Sequence, residues 1–162
     1  MGDAPPNIFQ LFYVKPNHMK RATLFIVLFT LVAHFTFAQT DEDAIRQVIN
    51  TAYIGGIHNG GPIDDIRKGF HPSFVMFVLD NNEVKTTPIE QWITNIEKSR
   101  AANKPAGEKA VAKYNIVNVA GTAASVVLDL HRGNKKVFTD NLLLYKFNEG
   151  WRIVGKNFYR FP

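Results

Sequence analysis

Cysteine is absent from the 162-residue sequence, and that absence closes several routes at once. Disulfides, thiolate nucleophiles and cysteine-bound metals are excluded, as is a lipid-modified N-terminal cysteine. Long basic runs are also missing. The net charge is +5, and no basic run exceeds two residues, as at Lys135-Lys136. Nucleic-acid recognition needs a concentrated basic stripe on a recognisable module, so no nucleic-acid partner is expected. Histidine is sparse, at His18, His34, His58, His71 and His131, and none stand at ligand spacing, so no metal site is expected. There is no P-loop, no GxGxxG and no GxSxG. Nucleotide, dinucleotide and serine-hydrolase readings therefore lack support, and no cofactor is expected.

One long apolar run occurs, Ala22 to Ala38, preceded by Met19-Lys20-Arg21 and ending at Thr36-Phe37-Ala38. A basic start, an apolar centre and a small-residue end form the pattern of an export signal. A membrane span needs roughly 20 apolar residues, and this run of about 16 is interrupted by His34. The pattern predicts a signal peptide over 19–38, cleavage after Ala38 and a periplasmic or secreted location. Membrane contact is then expected only through that signal. Residues 1–18 read as a disordered upstream extension, with Met19 as the natural start. Residues 39–162, which carry 16 basic and 13 acidic side chains, form the expected single domain.

Aromatics are plentiful at 12%, with 13 Phe, against 46% hydrophobic residues in all. Ala44, Ile45, Val48, Ile49, Ala52, Tyr53 and Ile57 recur at helical spacing, predicting a helix over Asp41–Asn59. Thr40 with Asp43 resembles a capping box. A short helix over Ile63–Lys68 follows Asn59-Gly60-Gly61-Pro62. The run from Phe70 to Leu79 ends in a buried strand, Asp80-Asn81-Asn82 turns the chain, and Glu83–Thr86 returns. Thr87-Pro88-Ile89-Glu90 combines an N-cap Thr, Pro at the first helical position and Glu at N3. It opens a third helix, reaching Arg100. After a loop at 101–107, strands are predicted at Lys109–Val119, Thr122–Leu130, Lys136–Phe147 and Trp151–Phe161.

The last hairpin holds an unusual feature: Asp140 and Lys156 lie within otherwise apolar strands. A three-residue loop, Asn148-Glu149-Gly150, pairs Phe147 with Trp151, Leu142 with Lys156 and Asp140 with Phe158. Asp140 and Lys156 then become diagonal neighbours on one face, among Phe138, Leu142, Leu144, Val154 and Phe158. The other face carries Leu143, Tyr145, Phe147, Trp151, Ile153 and Tyr159. A lone buried charge costs several kcal/mol, so a covered face requires the two to pair. Either face is compatible with the pattern as the pocket side. The two charges fit a ligand anchor, a proton-transfer group, a structural salt bridge or two solvated residues on an outward face. Asp129 and His131 share a strand face and could form an acid–base pair, but beside Ser125 and Val127 that face reads as outer surface; His58, ending the first helix, reads as exposed.

Helix, short helix, hairpin, helix and a long meander give an α+β architecture. The order is similar to the nuclear-transport-factor-2-like (NTF2-like, SnoaL-like, ketosteroid-isomerase-like) superfamily. More narrowly, the sequence resembles the putative lumazine-binding family of small exported bacterial proteins. The matching residues are Phe70-His71-Pro72 before Phe74, Thr87 to Trp92, Phe138-x-Asp140 with Leu142 to Leu144, and Gly150-Trp151-Arg152-Ile153-Val154 with Lys156. The resemblance implies a cone-shaped, curved antiparallel sheet with three helices from the N-terminal half on its concave face. It also implies a homodimer through the sheet, and a small-molecule pocket between sheet and helices.

On that expectation a small, partly apolar ligand would meet Tyr53, His71, Phe74, Met76 and Trp92 from one side. Asp140, Leu142, Lys156 and Phe158 would meet it from the other. The resemblance places His71 near the cavity mouth, but a capping or packing role at this helix-to-strand junction is the favoured reading. An isomerase, dehydratase or cyclase would use Asp140 or His71 for proton transfer. A structural module would fill the cavity with its own side chains. Superfamily membership does not choose among these.

Overall fold

The computed structural model describes residues 40–102 and 107–162. The expected extension and signal peptide, residues 1–38, lie outside the described residues, as does most of the loop before the meander.

The first helix begins where the capping chemistry places it. Thr40 accepts the Asp43 N–H at 3.1 Å and donates its hydroxyl to the Asp43 carboxylate at 2.7 Å. Helix α1, Asp41–Val48, is regular, but Ile49–His58 continues it with the wider i→i+5 bonding of a π-helix. Such stretches are rare, and they cluster at functional sites. The widened part contains Gly55-Gly56, two residues poor at holding an α-helix. Helix α2 spans Ile63–Gly69, and its Ile66 packs against Gly56, where an added Cβ would come within 2.5 Å.

Strands β1 (Phe70–Asp80) and β2 (Glu83–Pro88) form a hairpin through Asn81-Asn82, both with positive φ. Helix α3 runs from Ile89 to Ala101, with Pro88 rather than Thr87 as its N-cap. The expected capping box does not form. Thr87 and Pro88 pair instead with Met76 and Val75 as the end of β2, and Glu90 binds Arg67 of α2. Sheet pairing has claimed the residue that the local signal assigned to the helix.

The meander comprises β3 (Ala110–Ala120), β4 (Ala123–Arg132), β5 (Lys135–Phe147) and β6 (Gly150–Arg160). Strand order is β2-β1-β6-β5-β4-β3 in a six-stranded, unclosed sheet. Four pairings are antiparallel, and β1 joins β6 in parallel. The sheet is thus mixed at that one junction. The three helices cover one face, and the core between layers includes Ile45, Ile49, Ile66, Phe70, Leu128 and Ile153. This is the expected α+β cone.

The final hairpin corrects the expected register in two compensating places. Phe147 pairs with Gly150, and Lys146 with Trp151, so the loop is one residue shorter than expected. A bulge at Val154 then adds one residue to β6, restoring Leu142 opposite Lys156 and Asp140 opposite Phe158. The bulge also reverses the faces before it, since side chains alternate with period two. Trp151 and Ile153 are therefore buried on the helix side, whereas Val154 joins Leu143 and Tyr145 on the outer face.

Candidate functional site

Asp140 lies on the covered face of β5 and is 0% exposed; Lys156, on β6, is 4% exposed. The Lys156 ammonium donates to Asp140 Oδ1 at 2.5 Å, and the Tyr53 hydroxyl donates to Oδ2 at 2.8 Å. Each carboxylate oxygen thus has a donor, one from the neighbouring strand and one from the π-helical stretch. This satisfies the charge where water cannot. The ammonium also rests 4.1 Å from the Phe158 ring centroid and 5.4 Å from that of Tyr53, a favourable cation–π geometry. Burial pulls the Lys156 pKa below its ordinary value, against the opposing pull of Asp140. Burial, followed by the charge and hydrogen bond of Asp140, holds the Tyr53 phenol well above its own.

A cavity of about 310 Å³ opens beside this triad. Tyr53, Ile57 and His58 line it from the first helix, Trp92 and Ile96 from α3. Met76, Phe138, Lys156 and Phe158 complete it from the sheet. Among the described residues Lys156 is the one charged side chain in that wall, and Asp140 lies behind it, outside the lining. The volume falls at the lower end of the range for small-molecule sites, which are mostly apolar with few polar groups.

His58 departs from expectation. It is partly buried, its ring packs edge-on to Tyr53 at 4.7 Å, and its Nε2 is buried without a hydrogen-bond partner. Burial, and then the nearby charges of Lys156 and Arg132, lower its pKa from 6.5 to about 3. The imidazole is therefore neutral at ordinary pH. The reason for the error is geometric. In an α-helix each residue turns about 100°, which puts residues five apart on well-separated faces. With i→i+5 bonding, residues five apart come round to nearly one face, so Tyr53 and His58 both look into the cavity. The glycine pair between them was the available signal.

The other expected residues divide. Tyr53, Met76, Trp92, Lys156 and Phe158 line the cavity. Phe74 and Leu142 are fully buried core residues outside its wall. His71 does not reach it either; its ring stacks on Phe147 at 4.6 Å, and its Nδ1 accepts the Ser73 N–H. His71 thus has a packing role against the β5 end rather than a place in the cavity wall. Asp129, on the outer side of β4, is taken by Lys136 at 2.8 Å and Thr139 at 2.7 Å rather than by His131.

A larger cleft, about 540 Å³, adjoins the cavity and shares Ile57, His58 and Ile96 with it. Its charged lining is Arg100, Lys109 and Arg132. A third cleft, of about 500 Å³, lies between α1, α2 and the turn of the last hairpin, away from the triad.

The family model for the putative lumazine-binding family matches residues 40–159. An NTF2-like protein of unknown function from Shewanella baltica is 25% identical; the match covers 74% of this chain and 92% of that one, with a TM-score of 0.60. An NTF2-like protein of unknown function from Silicibacter pomeroyi is 16% identical over 73% of this chain and 93% of that one, with a TM-score of 0.58. No curated protein matches the chain. An unclosed six-stranded cone, three helices on one face and a family match spanning nearly all described residues agree: the chain belongs to the putative lumazine-binding family of the NTF2-like superfamily.

Proposed function

We propose that this domain binds a small, flat, largely apolar molecule in the cavity between the π-helical stretch, α3 and the sheet. One observation carries the reading: an aromatic-walled space of about 310 Å³ is bounded by a polar triad that is already internally satisfied. A satisfied triad rigidifies the wall and leaves apolar contact to provide most of the affinity. It also argues against proton transfer by Asp140, whose two oxygens are occupied and which does not face the cavity. His71 is in no better position. Binding without catalysis is the function that this geometry favours, and the family's name makes a fused two-ring heterocycle the natural first ligand.

The test is titration calorimetry of the full-length protein with lumazine and with the neutral aromatic 2-naphthamide. Saturable binding is expected, weakened about tenfold in Trp92→Leu, which removes one ring face from the wall. Absence of saturable heat with both compounds at millimolar concentration would overturn the reading.

Two further elements belong to this proposal. The N-terminal pattern supports export, and protein recovered from the cell envelope should begin at Gln39 by mass spectrometry; a chain retaining residues 19–38 there would contradict it. Exposed Leu143, Tyr145 and Tyr159 on the outer sheet face support pairing with a second copy.

A further inference from the structure

The wall between the cavity and the adjoining cleft concentrates unusual features. Ile57, His58 and Ile96 belong to both spaces, and His58 brings a buried, unpartnered Nε2 to that boundary. That atom is closed to solvent, so His58 acts as a partition between the two spaces rather than as a contact for a ligand. Beyond His58, the cleft is cationic. Arg132 donates to the backbone carbonyls of Glu108 and His58, and Arg100 to those of Gly61 and Gly56. Among the described residues no carboxylate lies in ion-pair contact with either guanidinium, nor with Lys109.

The carbonyl contacts have a structural role of their own, since cations suit the C-terminal end of a helix. They do not exhaust the side chains. A guanidinium carries five N–H donors in a fixed fork, and two on each arginine are engaged here. What remains is positive charge held in place at the mouth of an apolar cavity, with donors to spare. Lys156, in the cavity wall, has its charge matched by Asp140 behind it. The inner space is thus neutral and aromatic, and the outer one is cationic, with His58 between them.

Resting on the binding reading above, we infer that the site takes a flat apolar molecule ending in an anionic group, carboxylate or phosphate. The ring system lies against Trp92 and Phe158, and the anion meets the guanidiniums of Arg132 and Arg100 beyond His58. The fork geometry of arginine matches both anions.

The experiment compares three probes on the full-length protein by calorimetry: 2-naphthamide, 2-naphthoate and 2-naphthyl phosphate. At least one anion should bind ten times more tightly than the amide, the tighter one naming the group. That preference should shrink several-fold between 20 mM and 500 mM salt, because charge attraction at a solvent-open site is screened. Arg100→Met with Arg132→Met should reduce the preference below threefold while amide affinity stays within twofold. Arg132→Lys, which keeps the charge at that end of the helix, should retain part of it and serves if the double variant does not fold. Amide binding with no anion preference, or a preference unchanged by salt or by the arginine variants, overturns the inference and leaves the binding reading intact. Failure of all three probes to bind removes both.

Discussion

Lys156→Met removes the cation from a carboxylate that has no route to water. Asp140 is fully buried, and among the described residues its oxygens are bonded only to Lys156, at 2.5 Å, and Tyr53, at 2.8 Å. Removing one partner of a buried ion pair costs roughly 3–5 kcal/mol, because the other charge stays behind uncompensated. Against a total stability of about 5–15 kcal/mol for an ordinary domain, that is a fifth or more of the whole. Asp140→Leu should cost a similar amount by stranding the ammonium. The two changes together should cost much less than their sum, because apolar residues of similar volume replace a buried pair at little net cost. The double variant still leaves the Tyr53 hydroxyl buried without an acceptor, a penalty of about 1–3 kcal/mol. Adding Tyr53→Phe should remove it. Urea denaturation followed by circular dichroism should therefore rank the variants as wild type and triple variant together, then the double, then either single. Strictly additive losses, or a loss below about 1 kcal/mol in Lys156→Met, would refute the claim that the pair is dry and mutually dependent.

Stability should fall as acid reaches His58. Its folded pKa of about 3 lies below the ordinary 6.5, so between those values the unfolded chain binds a proton that the folded one refuses, and stability declines as pH drops through that window. His58→Phe should flatten this decline when urea midpoints at pH 7 and pH 4 are compared; an unchanged slope would show that the imidazole is not held neutral. Gly69→Ala should lower the melting temperature, because the new Cβ would sit 2.2 Å from that of Ala52, an overpacking worth roughly 1–3 kcal/mol. Pairing it with Ala52→Gly should recover most of the loss. Leu143→Glu, at a position 53% exposed on the outer sheet face, should halve the mass found by light scattering without lowering the melting temperature of the fold. A single-chain mass for the unmodified protein would end the dimer proposal.

Much of this architecture was legible because the signals are local. Thr40 with Asp43 starts the first helix, and Asn81-Asn82 turns the first hairpin. Alternation along β4 and β5 marks strands with one buried face. The Asp140–Lys156 pair was also within reach, but by a partly fortunate route. The expected loop was one residue too long, and the bulge at Val154 restores that residue on the other side. Wherever only the sum of the two mattered, the register came out right. Between them, at Trp151, Ile153 and Val154, the faces were inverted. Bulges are placed by the curvature that the whole sheet adopts, which no window of neighbouring residues encodes.

The sequence by itself determined the order of most helices and strands, and that the acid and base of the last hairpin must pair if their face is covered. Periodicity, turn chemistry and the cost of a lone buried charge act over short stretches of chain, so they can be read there. Only the tertiary structure decided which face of the sheet is covered and that Tyr53 completes the pair from 87 residues away. It alone brought His58 into the cavity wall. That last placement follows from a helix widening against the layers packed around it, and a change of about one residue in the hydrogen-bonding step moved a histidine from the expected surface to the boundary of the site.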